Sequence, residues 1–382
     1  MADFAFTRQD ETKVASGRPH LLNAPPPITV LTNSPRIETT KTVPLTCHGH
    51  SRPITHLSFS ALTSPPGAAP QYYMISACKD NNPMLRDGLT GDWIGTFIGH
   101  KGAVWSARLS EDATLAATGS ADFSARVWDT YTGETLASLR HDHIVRAVAF
   151  PPQQQPQVLA TGGAEKKLRV YDLSRVSNGA VTSPGANGHS AMGNGVSAES
   201  GTTPSYEIGA GEHQGSIRSI IWSRDPNIMT TASEDKKLRW WDLRSRTSIA
   251  TYTVDGIPTS CELNIGPTGS PEGVVSVAAG KNIYIFHGSR PGELIKHIKR
   301  EREVASVAVN GEARRFVVGS PGDTWVHVAD LDSERELETG RGHHGPVWTV
   351  CFSPDGRLYA TGSEDGTVKL WKSTAGPYGL WR

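Results

Sequence analysis

A chain of 382 residues, 37% hydrophobic and 20% charged, is long enough to bury a large core, as one big domain or two ordinary ones. Lys and Arg total 38 and so do Asp and Glu, a formal net charge of zero. That balance excludes a global field drawing the protein onto nucleic acid or anionic membrane, so any such contact must be local. Cys47, Cys78, Cys261 and Cys351 stand without C-x-x-C pairing, the N-terminus carries charge and no apolar signal core, and no run of 18 apolar residues occurs. A reduced, cytoplasmic or nuclear protein that spans no membrane is expected.

Residues 1–40 hold Pro25, Pro26, Pro27 and Pro35 among Thr, Ser and Asn with no period able to bury a face, which predicts a disordered leader. Beyond it, short β-rich runs alternate with turn signals, as in Thr361-Gly362-Ser363-Glu364-Asp365-Gly366 followed by Thr367 to Trp371. One ruler recurs three times: His100, His213 and His343 each lie 28 positions before Trp128, Trp241 and Trp371, and Asp122, Asp235 and Asp365 each lie six before the same tryptophans. A His, Asp, Trp register returning at about 40 to 45 residues is the signature of a WD-repeat β-propeller, an all-β fold in which each repeat makes one four-stranded blade.

Turn acids at Asp80, Asp122, Glu165, Asp235, Asp323 and Asp365 mark six blades. A seventh, degenerate blade is expected around Val274 to Phe286, with Gly280 at the turn. Thr63 to Gln71 lengthens blade one, and residues 174–205, rich in Ser, Gly, Asn and Ala, read as a disordered insertion in a solvent-facing loop. Blade five lacks the His and Asp, and blade six carries Glu301 at the His register and Gly319 at the hydroxyl register, so these two form the softer part of the ring. The last strong strand, Thr367 to Trp371, leaves the ring one outer strand short. Thr42 to Cys47 is the donor expected to close it, giving a seven-bladed propeller over 41–372 and a C-terminal tail over 373–382.

The recurring polar residues predict a buried hydrogen-bond chain, from turn Asp through His to a strand hydroxyl and an indole N–H. The hydroxyl register, four before the turn acid, is filled by Ser76, Thr118, Thr161, Thr231 and Thr361. A carboxylate is tolerated there only when its acceptors are filled, and the linked network then fixes blade geometry. His, Asp and Thr together resemble a hydrolase triad. A set that recurs blade after blade is structural, however, whereas a triad is built once. Cys47, His48 and His50, His141 with His143, and His343 with His344 lack a second ligand pair at zinc spacing. Gly119 to Asp122 precedes no helix that could cradle a phosphate. No enzyme, metal or cofactor is expected.

Five residues after the blade His, the chain returns to the innermost strand near the rim. Thr55, Trp105, Arg146, Arg218, Ser306 and Trp348 hold that register. Indole and guanidinium groups bury large area and hydrogen-bond at once, as binding hot spots do. The alternative is that Trp105 and Trp348 pack between blades. Lys79, Glu234 and Glu364, each just before a turn acid, share the rim and tune its charge.

Several runs go beyond a generic repeat: Ile75 to Asp80, Pro83-Met84-Leu85-Arg86, Thr90 to Phe97, Gly99 to Trp105, Ala121-Asp122-Phe123, Val127-Trp128-Asp129, His143 to Arg146 and Tyr378-Gly379-Leu380-Trp381. They resemble the serine-threonine kinase receptor-associated protein (unrip) family, over about residues 43 to 381. The resemblance implies a non-enzymatic scaffold of the survival-of-motor-neuron complex, monomeric within a larger assembly. Such a scaffold serves the loading of Sm-type proteins onto small nuclear RNA and touches RNA only indirectly or weakly. A receptor-signalling role, known for animal members, does not transfer on these residues. The chain departs from the family in its leader, its insertion and its end at Arg382 without an acidic tail. The i subunit of eukaryotic translation initiation factor three shares a Gly-His-x-Gly-Ala-Val-Trp run. Trp241-Asp242-Leu243-Arg244 fits the W-D-x-R pattern of substrate receptors of cullin ubiquitin ligases, though W-D accompanies every good repeat.

Overall fold

The computed structural model describes residues 43–63, 70–174, 203–266 and 273–381; the proline-rich leader 1–40 and the body of the 174–205 insertion lie outside the described residues. Among the described residues, 28 strands form seven four-stranded sheets. The inner strands of blades one to seven are Ile54–Phe59, Val104–Leu109, Val145–Ala149, Ile217–Trp222, Pro258–Asn264, Ser306–Asn310 and Val347–Phe352. Each neighbours the next, and the last neighbours the first, so the ring is closed around a central channel.

Burial follows the layer. The second strand of a blade lies between two neighbouring blades, and Leu358–Ser363 is buried at every position. The outer strand Thr247–Thr253 alternates between exposed and half-buried, as a strand with one solvated face must. Small residues in the second strands are a packing requirement. A Cβ on Gly362 would stand 2.5 Å from Ile54 of blade one, because the next inner strand lies directly against it. Gly119 and Gly162 meet Val145 and Ile217 in the same way.

The core is seven apolar wedges, one at each blade-to-blade interface. Trp241 packs with Ala147, Leu168 and Ile217 between blades three and four, and Trp128 with Ile75, Leu85 and Phe97 between blades one and two. Blade five occupies Pro258–Lys299, with Gly280 at φ +59° in its turn, as its repeat position required.

Closure uses the N-terminal segment. Leu45–Cys47 pairs antiparallel with Val368–Lys372, matching Leu45 to Leu370 and Cys47 to Val368, and removes the free edge of blade seven. Residues beyond that blade also dock: the Trp381 indole N–H donates to the Val43 carbonyl at 2.8 Å, and Tyr378 meets Tyr72 and Asp355 through its hydroxyl. Trp381 thereby packs on the wedge between blades seven and one.

Candidate interaction site at the channel mouth

The polar relay is most regular in blades two and seven. In blade two the Trp128 indole donates to Thr118 Oγ1 (2.8 Å), the Thr118 hydroxyl donates to His100 Nε2 (2.7 Å), and His100 Nδ1–H donates to Asp122 Oδ2 (2.8 Å). The Asp122 carboxylate can only accept, so it places the ring proton on His100 Nδ1, and Nε2 then accepts from the Thr118 hydroxyl. Asp122 also accepts the Lys101 and Ser124 amides, tying the entering loop to the turn. Trp371, Thr361, His343 and Asp365 repeat the chain at 2.8, 2.7 and 3.0 Å. Burial pushes the Asp365 carboxyl up, and the His344 and Thr367 bonds with the nearby His343 pull it down further, to about 2.

The other blades depart from it. In blade four, His213 does not bond Asp235. Arg239 enters between them, donating from Nη1 to His213 Nδ1 (3.2 Å) and ion-pairing with Asp235 at 2.9 Å. The tautomer therefore inverts: His213 Nε2–H donates to Thr231, which also accepts from Trp241. Burial and the adjacent Arg239 hold His213 down at about 4, against Asp235. In blade three, Tyr171 stands where the Trp would be and brings no N–H to the buried Thr161 hydroxyl, which has no hydrogen-bond partner among the described residues. Blade one keeps His50, Asp80 and Ser76 (2.9 and 2.7 Å) but has Arg86 at the Trp position, where it holds the carbonyls of His48 and Gly91. His50, Cys78 and Asp80 cluster as metal ligands could, yet both ring nitrogens of His50 are taken up by Asp80 and Ser76. Burial raises the Cys78 thiol to about 12, and it donates to the Arg52 carbonyl.

The rim register coincides with a backbone feature that spacing alone did not show. In blades one, two, three, four, five and seven the inner strand is bulged at its first turn of pairing, and the extra residue is Thr55, Trp105, Arg146, Arg218, Thr259 or Trp348. A bulge re-aims its side chain out of the alternating pattern, here toward the channel mouth. Thr259 had no blade His to mark it. Ser306 does not take this place. One extra residue in the Ser320-Pro321-Gly322-Asp323 turn shifts the blade-six register, so Ser306 pairs with Gly319 as Ser106 pairs with Gly119, and Ala305 stands at the rim. Ser306 is buried and bonds the Val350 amide. Asp323 is likewise partnered, by Arg302 and by His327 at 3.1 Å.

Thr55, Trp105, Arg146, Arg218 and Trp348, with Lys79, line one cavity of about 330 Å³. Arg146 lies 4.9 Å over the Trp105 ring and Lys79 5.9 Å from it. Arg218 pairs with Glu234 at 2.7 Å, and the Trp348 indole donates to Glu364. Trp348 is 37% exposed, so it does not serve as an interblade wedge. Thr55 donates its hydroxyl to the Val104 carbonyl of the next blade.

The floor is a cluster absent from the sequence reading. Glu262 of blade five reaches Arg108 of blade two at 2.7 Å and His56 of blade one at 3.1 Å. Burial pushes its carboxyl up, and Arg108 and His56 pull it down to about 2. Arg108 and Glu262 border both the upper cavity and a lower one of about 1010 Å³, so this cluster partitions the channel.

A closed seven-bladed ring with repeated His–Asp–Thr–Trp relays and an aromatic and cationic mouth defines a WD-repeat propeller, a protein-interaction scaffold. The family described as "WD domain, G-beta repeat" matches residues 91–129, 207–242 and 334–372, each ending one residue beyond Trp128, Trp241 or Trp371. A Gallus gallus serine-threonine kinase receptor-associated protein is 42% identical over 340 residues, 89% of this chain and 85% of that one. The Dictyostelium discoideum protein of the same name is 36% identical over 86% of this chain and 98% of its own length. The chain belongs to the serine-threonine kinase receptor-associated protein family. Subunit I of eukaryotic translation initiation factor 3 from Culex quinquefasciatus is a more distant relative, 26% identical over 86% of this chain and 95% of its own.

Proposed function

We propose that this protein is a non-enzymatic scaffold for assembly of Sm-type small nuclear ribonucleoproteins within a survival-of-motor-neuron-type complex, acting in cytoplasm and nucleus. Its partners are proteins, engaged at the channel mouth, and RNA is reached through them. The observation that carries this reading is family membership along 89% of the chain together with a rim whose bulged side chains line the channel mouth rather than the apolar wedges. The W-D-x-R match gains no support from the geometry, since Trp241 is buried in its relay and Asp242 accepts the Arg244 amide in a tight turn.

The test is affinity capture of the tagged full chain from native extract, beside a Trp348→Ala variant whose melting temperature matches the parent. Sm-protein assembly factors captured by the parent and lost from the variant are expected. Initiation-factor subunits in their place would assign the chain to the translational role, a cullin adaptor to ubiquitin ligation, and Sm factors retained by the variant would move binding to another face.

A further inference from the structure

We propose that the upper cavity is a receptor for a single carboxylate side chain, an Asp or Glu on a peptide segment of the protein partner. This rests on the channel mouth being the partner-binding face. The rim is asymmetric in charge. On the side of blades four and seven every group is committed, Arg218 to Glu234 and Trp348 to Glu364, while at the floor Arg108 is committed to Glu262. On the side of blades one to three, Lys79 and Arg146 flank Trp105 with no carboxylate partner among the described residues.

Two donors on that side are also unused. Trp105 Nε1 and Arg146 Nε are both desolvated and have no hydrogen-bond acceptor among the described residues. A carboxylate meeting the Arg146 guanidinium beside Lys79 forms the stronger, charge-assisted kind of bond, and a small side-chain adjustment on binding gives these buried donors the acceptor whose absence costs the free protein. Desolvation lowers the Arg146 pKa, the neighbouring Arg218 lowers it further, and Glu234 only partly opposes them, as expected of a cation awaiting a counter-charge. A cavity of about 330 Å³ admits one side chain and its backbone. A nucleic-acid strand fits less well. Phosphates follow one another along the strand, whereas this mouth offers two free cations and would set the remaining phosphates against Glu234 and Glu364.

The experiment selects a phage-displayed library of random dodecapeptides on the full chain, then measures the selected peptide by fluorescence anisotropy. A fixed Asp or Glu is expected, and its replacement by Asn or Gln should weaken binding about tenfold or more. Arg146→Gln should do the same, and Trp105→Phe, which keeps the ring and removes the N–H, should weaken it severalfold, with melting temperatures unchanged. Acidic peptides that depend on Arg218 and Trp348 but not on Arg146 or Trp105 would overturn the carboxylate pocket and leave the binding face standing. Indifference to all four substitutions would overturn both. Failure to enrich any acidic peptide, or Arg146-dependent binding of a single-stranded oligouridylate without peptide binding, would also overturn the proposal, the latter in favour of RNA.

Discussion

Blades two and five share one outline and secure it by different chemistry. Blade two ties loop to turn through Trp128, Thr118, His100 and Asp122. Blade five lacks the His and the turn Asp of the repeat register. It sets buried Phe286 at the tryptophan register, with Trp240 and Tyr252 edge-on at 5.2 and 5.0 Å, and the Tyr284 hydroxyl accepts the Asp255 amide at 2.9 Å. A blade therefore needs a filled wedge and satisfied turn amides, and either a polar relay or an aromatic cluster supplies them. A repeat template registers the polar residues that blade five has lost and not the aromatic contacts it has gained, so its expected softness turns on how far the aromatic cluster replaces the relay.

The largest effect that could break this equivalence is loss of the wedge itself. Phe286→Ala and Trp128→Ala should each cost about 3 to 5 kcal/mol, the range for emptying a large buried aromatic. Denaturant midpoints that fall far less for Phe286→Ala would show that the aromatic cluster does not replace the relay.

Acid should next separate the histidine blades from blade five. His213 is held near 4 in the folded chain and returns to an ordinary histidine value on unfolding. Its neutral burial is fully stabilising above about pH 6.5 and is lost progressively as pH falls toward 4, at about 1.4 kcal/mol per pH unit for the proton that only the unfolded chain takes up. Asp80, Asp365 and Glu262, held near 2, contribute fully above the ordinary carboxylate range and lose that contribution as pH falls from that range toward 2, below the interval from pH 7 to 5. Urea midpoints at pH 7, 6 and 5 should decline with a shallower slope in His213→Gln; an unchanged slope would rule out His213 as the titrating group.

Within the relays, Asp122→Ala should cost about 1 to 3 kcal/mol by unpairing buried His100 and two amides. Asp323→Ala should cost less than Asp122→Ala, because Arg302 is a solvent-screened partner and His327, unlike the buried His100, keeps a second carboxylate in Glu336. Equal losses in the two variants would contradict the difference between relay and surface pair.

The smallest effect sharpens the comparison most. Thr118→Val should cost about 1 to 3 kcal/mol, since it strands Trp128 and His100, while Thr161→Val, whose hydroxyl has no partner among the described residues, should be near neutral. A costly Thr161→Val would mean that blade three holds an unseen partner for that hydroxyl.

The WD-repeat fold, the seven blades, the Gly280 turn and the closing role of Leu45–Cys47 were legible from the chain alone, because strand period and turn length impose one local spacing on every blade. Rim positions were legible wherever a blade His anchored the count, and Thr259 and Ala305 were missed where it did not. Tertiary structure alone decided the rest. Arg239 displaces Asp235 from His213 because a long guanidinium four residues on reaches the same buried site. His56, Arg108 and Glu262 meet because closing the ring brings blades one, two and five to one axis, and no repeat spacing links residues whose only relation is to face each other across a channel.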